Sequence, residues 1–185
     1  PVLVGALGPK MTEMAAEVAD GLLVMPFNSQ RHFVERTMPA IERGFAKSGR
    51  QRSDFEIIVE VICAVGETSE EIATAMSGVK TLIGFYGSTP SYRPVLEVLG
   101  RGDLQVELNA LSKQGDWAGM ASKIDEDLLR TIAVVGTPSE VATEIVRRFG
   151  HQADRVCLYF PGYPISDGCI AQTISAIKTA SGRLS

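Results

Sequence analysis

The stretch VLVGALGPKMTEMAAEVADGLLVM, residues 2–25, decides the reading of the fold. Val2 to Ala6 is a short apolar run closed by glycine, the pattern of a strand. Pro9 then opens a helix to about Ala19, with Met11, Met14, Ala15 and Val18 recurring at helical spacing. Proline suits the first helical position, because the N–H it lacks has no partner there. Asp20-Gly21 turns the chain into a second apolar run, Leu22 to Met25. Strand, helix and strand in so short a span make a βαβ unit with parallel strands.

The same alternation continues outward. Phe33, Val34, Met38, Ile41 and Phe45 predict a helix from about Arg31 to Lys47, ended by Ser48-Gly49-Arg50. Phe55 to Val65 is continuous and rich in Ile and Val, which predicts a strand covered on both faces. Gly66 closes it, and Thr68 or Ser69 with Glu70 or Glu71 starts a helix toward Tyr86. Residues 87–130 break the rhythm with Pro90, Pro94, Gly100, Gly102 and Gly115, and read as a helical insertion within a single domain, 1–185. Ile132 to Val135 is a short extended piece, and Thr137-Pro138 caps a helix to about Phe149. Arg155 to Phe160 is a last strand and Ile170 to Thr179 a last helix. The main strands therefore fall near residues 2–6, 21–25, 57–65 and 155–160, and such α/β units build either a small open sheet or half of an eight-stranded barrel.

Composition narrows the function classes. Twenty-two acidic against 18 basic residues give a net charge of −4, which argues against a sequence-independent nucleic-acid binder. No apolar run is long enough to span a bilayer, and the first residues lack a secretory pattern, so a cytoplasmic, non-membrane protein is expected. The three cysteines, Cys63, Cys157 and Cys169, have no C-x-x-C spacing and read as buried structural thiols in a reducing compartment. His32 and His151 stand far apart with no H-E-x-x-H, so no metal site is expected.

Several of these segments resemble one family. Val2 to Met11 followed by Ala15 to Gly21 is similar to the fifth strand, helix and sixth-strand start of luciferase-like flavin and deazaflavin enzymes. Met38-Pro-Ala-Ile-Glu-Arg-Gly44, Ile132-Ala-Val-Val-Gly-Thr-Pro-Ser-Glu140 and Leu158-Tyr-Phe-Pro-Gly162 resemble their later segments in the same order. The resemblance implies the carboxy-terminal half of a TIM (β/α)8 barrel. It also implies an oxidoreductase that transfers hydride between coenzyme F420 and a small organic substrate. A monooxygenase using FMN is the alternative cofactor reading, and a non-catalytic remnant that dimerises or binds flavin weakly is a third. The family's first four βα units have no counterpart in these 185 residues, and they usually hold the catalytic His or Trp; no catalytic residue is assigned. The two outer strands of a half barrel are open apolar edges, which predicts a homodimer or a missing amino-terminal half-barrel partner.

Barrel sites lie at the carboxyl ends of the strands, and that rule selects the candidates. Gly5, Ala6, Leu7 and Gly8 form a glycine-lined wall for a flavin-like ring, with Lys10 and a helix start offering positive potential; the plain alternative is a strand-to-helix turn. Phe27, Asn28 and Ser29 follow the second strand, where the resemblance implies contact with the cofactor's side chain and phosphate, although Asn28 and Ser29 equally suit a helix cap. Gly162, with Tyr163, follows the last strand where such barrels bind phosphate, but no Arg or Lys stands nearby. Glu60 sits in an apolar run and is expected to form an internal ion pair, the alternative being a carboxylate aimed at the site. His32 is expected exposed at a helix start, His151 on the face opposite the site, and Trp117 in packing.

Overall fold

The computed structural model describes residues 1–182. Five strands, β1 (Leu3–Ala6), β2 (Gly21–Val24), β3 (Glu56–Val65), β4 (Val134–Gly136) and β5 (Arg155–Tyr159), form one sheet. Every pairing is parallel: β1 with β2, β2 with β3, and β3 with both β4 and β5. The connections are helical, as parallel strands require. They are α1 (Pro9–Val18), the α2 (Gln30–His32) to α3 (Met38–Ser48) segment, α4 (Ser69–Gly87), α5 (Arg93–Glu97), α6 (Gly102–Gln114), α7 (Trp117–Ser122), α8 (Glu126–Ile132) and α9 (Pro138–Phe149). A last helix, α10 (Asp167–Ser181), follows β5.

Register divides the sheet into two unlike faces. Ala6, Val24, Val59 and Val156 lie side by side, as do Val61 and Leu158; Ala6, Val24, Val59 and Val61 are buried under helices. The other face carries Gly5, Leu23, Ile58 and Arg155 in one row and Glu60 with Cys157 in the next. There Gly5 and Cys157 are exposed and Leu23 keeps 39% of its surface in water. The expectation that β3 is covered on both faces therefore holds only from Val61 onward. Its amino-terminal half alternates between half-buried and buried residues, because α4 to α8 pack only over the carboxyl end.

Two cores result. One joins α1, α3, α9 and α10 to the helix-covered face of the sheet. The other gathers Ile62 and Ala64 of β3 with α4 to α8. Helices α1 and α3 touch most closely at Gly44, where a Cβ would collide with the Glu13 carbonyl. The helix expected over 31–47 is interrupted: Phe33–Thr37 is a π turn, with Met38 N–H donating to the Phe33 carbonyl. Pro39 has no N–H for the Glu35 carbonyl, and the turn before it widens.

Arg148, buried to 8% exposure, shows how α9 is held. Its guanidinium donates to the carbonyls of Arg130 (2.7 Å), Thr131 (3.1 Å) and Ala133 (3.3 Å), which end α8 and have no helical partners. Hydrogen bonds from Arg147 and Arg148 hold the Glu144 carboxyl down to about 2, against burial that raises it. A carboxyl depressed in the fold stabilises fully above its ordinary range and loses that contribution as the pH falls. Denaturation by urea between pH 5 and 2 is expected to show a loss of about 2 kcal/mol that Glu144→Gln removes; a variant whose profile parallels the parent's refutes the assignment.

Candidate functional site

Because all strands run the same way, the segments after β1, β2, β3 and β5 emerge at one end of the sheet. After β1, Ala6 points into the helix-covered core and Leu7 packs against the second core. Gly5 and Gly8 are exposed, and no atom lies within 4 Å of where a Cβ would stand on either. Neither has the positive φ that favours glycine. Nothing within the chain requires glycine at these two places. What they leave is bare backbone facing open space, beside the start of α1, whose N-cap Gly8 offers no side chain to its N–H groups.

The segment after β2 is spent differently. Phe27 is fully buried, its ring 5.9 Å from Tyr86 and 6.2 Å from Tyr92, where it anchors α4 to the sheet. Ser29 caps α2, its Oγ accepting from His32 N–H at 3.1 Å. Asn28 Oδ1 accepts from Ser29 N–H and contacts His32 Nδ1, both at 2.9 Å. A backbone N–H can only donate, so the amide's orientation is set, and His32 must carry its proton on Nδ1. Asn28 Nδ2 is left buried without a partner.

His32 itself corrects an expectation: it is 2% exposed, not a solvent-facing helix residue. Burial, helped by the charge of Arg36, lowers its pKa to about 4, so the ring is neutral near pH 7. Its neighbour Phe33 is fully buried and meets Phe149 of α9 edge-on, the ring centroids 5.7 Å apart. The spacing of Asn28 and His32, one helical turn apart, was the available sequence signal.

Beyond β5, Gly162 has φ +73° and packs on Gly78 of α4, where a Cβ on Gly78 would strike the Gly162 carbonyl. Tyr163 Oη donates to the Cys63 carbonyl at 2.8 Å and accepts from Val65 N–H at 3.1 Å, tying this loop to the end of β3. An aromatic groove of about 600 Å³ opens alongside, lined by Leu82, Phe85, Trp117, Met120, Tyr159 and Phe160. Trp117, expected in packing, stands 52% exposed on its rim. It starts the short α7, whose buried residue is Met120.

The remaining candidates fall outside any cluster. Glu60 is half-buried and has no ion-pair partner among the described residues, so the expected internal salt bridge is absent; Arg155 on the same face pairs with Glu56 instead. Cys157 is exposed, against the reading of three buried thiols, because it points to the uncovered sheet face. Cys63 is buried and its thiol pushed up to about 12, chiefly by desolvation, so it remains protonated. His151 is exposed in the turn before β5, at the opposite end from the site. Among the described residues no His, Cys, Asp and Glu group could hold a metal, and no helix is long and apolar enough to cross a membrane.

Fold and site together define an α/β protein whose open backbone and aromatic groove share the carboxyl end of a parallel sheet, the usual place for a ligand in such folds. The chain belongs to the luciferase-like monooxygenase family, which matches residues 1–154. It is 46% identical over 159 residues to the uncharacterised protein Rv1360 of Mycobacterium tuberculosis, covering 86% of this chain and 47% of that one. It is 29% identical over 152 residues to a 5,10-methylenetetrahydromethanopterin reductase of Archaeoglobus fulgidus, covering 78% of this chain and 43% of the reductase. The coenzyme F420 dependent tetrahydromethanopterin reductase of Methanopyrus kandleri shares the fold, with a TM-score of 0.71 at 23% identity over 94% of this chain and 48% of that one. The chain thus spans about half the length of the curated relatives it matches.

Proposed function

We propose that the chain is the carboxy-terminal half of a (β/α)8 barrel oxidoreductase, which holds coenzyme F420 at its strand ends while hydride passes to or from a small organic substrate. The observation that carries this reading is the bare, unobstructed backbone at Gly5 and Gly8, an arrangement that fits a flat ring lying against the β1 segment. The one-sided sheet supports the half-barrel part, since its uncovered face is the side a closed barrel would turn inward. The deazaflavin would supply the hydride chemistry; the protein's part is to position the ring and exclude water. Gly5 and Gly8 would lie against the ring, with Leu7 behind them. The segment Phe27–Ser29 would act through its fold, Phe27 and Ser29 holding the loop and Asn28 fixing Ser29 and His32 through its Oδ1.

Two rival outcomes are separable in one measurement. Purified protein titrated with coenzyme F420 and with FMN, followed by fluorescence, is expected to bind F420 at tens of micromolar or tighter. Preference for FMN would favour a flavin monooxygenase, and binding of neither would leave a non-catalytic remnant.

A further inference from the structure

The aromatic groove at the carboxyl end of β5 has three walls. Gly78, Leu82 and Phe85 recur at helical spacing along one side of α4. Trp117 and Met120 of α7 make the second wall, and Tyr159 with the segment after it the third. Where α4 crosses that segment, a Cβ on Gly78 would strike the Gly162 carbonyl, so the two are in backbone contact and the width of the groove is fixed. Register sets Tyr159 opposite Ile62, on the sheet face that also carries Gly5 and Glu60. The groove therefore opens on the same side of the sheet as the bare backbone of the β1 segment.

Its chemistry is narrow. No charged residue lines it, while Phe85, Trp117, Tyr159 and Phe160 give it aromatic faces. A carboxylate or phosphate seated there would lose its hydration and meet no cation. Only two lining side chains carry oxygen. Thr81 spends its hydroxyl hydrogen on the Ser77 carbonyl, at 3.4 Å. Tyr159 connects inward to Tyr86, whose phenol is held protonated by burial first and then by the nearness of Tyr159 and Glu60. A phenol both donates and accepts, so Tyr159 can take a hydrogen bond from Tyr86 and still donate to a second oxygen.

We propose that this groove seats the substrate, and that the substrate is a neutral molecule with an apolar, ring-sized body and one hydroxyl or carbonyl oxygen that meets the Tyr159 hydroxyl. Calling the occupant a substrate rests on the oxidoreductase reading above. The volume of about 600 Å³ is that of a small-molecule site, and aromatic faces stack well on a flat apolar body. The Tyr159 hydroxyl separates a ligand from a packing partner. Apolar side chains filling the groove would leave that donor unmet, whereas a ligand oxygen satisfies it.

Trp117 on the rim is the one tryptophan of the chain, so its emission reads the groove directly. The test uses the 185-residue chain without cofactor. The probes are 1-phenylethanol, which is neutral, and mandelate, which has a carboxylate in place of the methyl group. 1-Phenylethanol is expected to shift the emission saturably in the millimolar range, and mandelate to bind at least about tenfold more weakly. Phe85→Ala changes an exposed position, so far-UV circular dichroism should show the fold retained, yet it should weaken 1-phenylethanol about tenfold. Tyr159→Phe should weaken it about fivefold and leave toluene, which has no oxygen, unaffected. No saturable response, equal affinity for mandelate, or indifference to either variant overturns the proposal. Coenzyme F420 binding by a chain silent to 1-phenylethanol overturns it and spares the cofactor reading. The converse, 1-phenylethanol binding without F420 binding, upholds the groove and removes the cofactor reading.

Discussion

Between pH 6.5 and about 4 the chain is expected to lose about 3 kcal/mol of unfolding free energy through His32 alone, and His32→Asn to abolish that slope. The ring is 2% exposed, and desolvation with the charge of Arg36 lowers its pKa to about 4. In the unfolded chain it titrates near its ordinary value of 6.5. Between those two values the unfolded state binds the extra proton, so stability rises with pH across the window. The contribution is fully present above 6.5 and lost as the pH falls through the folded value. Asparagine keeps a donor where Nδ1 meets Asn28 Oδ1 but cannot titrate. The variant should be less stable at pH 7, because it leaves a cavity, yet flat across the window in urea denaturation. Equal slopes in parent and variant would show that His32 takes up its proton freely in the folded state.

The second large effect concerns the open glycine. Gly5→Val is expected to weaken coenzyme F420 binding by about 10- to 100-fold, the 1–3 kcal/mol that overpacking costs. Its melting temperature should be unchanged or slightly raised, because a Cβ at Gly5 meets no atom of the chain and valine suits a strand. Gly44→Ala is the control with the opposite signature, since a Cβ there strikes the Glu13 carbonyl across the α1–α3 contact. It should lower stability and leave the affinity of the remaining folded protein alone. If Gly5→Val binds the cofactor as tightly as the parent, the ring does not lie on β1, and the proposed site fails.

How much of this was legible in the sequence depends on the range of the physics involved. Proline at the start of α1 and the Thr137 and Thr68 caps are local signals, and the helices begin where they predict. The parallel class followed from strand and helix alternation in residues 2–25 alone. The π turn at Phe33–Thr37 was hidden, because helical periodicity does not register one extra residue per turn. His32, Trp117 and Cys157 were misread for one shared reason: their exposure is set by elements far away in the chain. His32 is covered by packing that involves Phe149, and Cys157 is bared because α4 to α8 stop at the carboxyl end of β3.

By itself, the sequence determined an α/β chain of parallel strands within the luciferase-like family, with its candidate segments at the strand ends. Caps, turn residues and hydrophobic period are written within a few residues of where they act. Only the tertiary structure decided how those candidates divide: Phe27 and Ser29 are consumed in packing and capping, Gly162 is pressed against Gly78, and Gly5 and Gly8 remain open. Whether a backbone faces a neighbour or empty space depends on helices contributed from across the chain, and no local pattern carries that information.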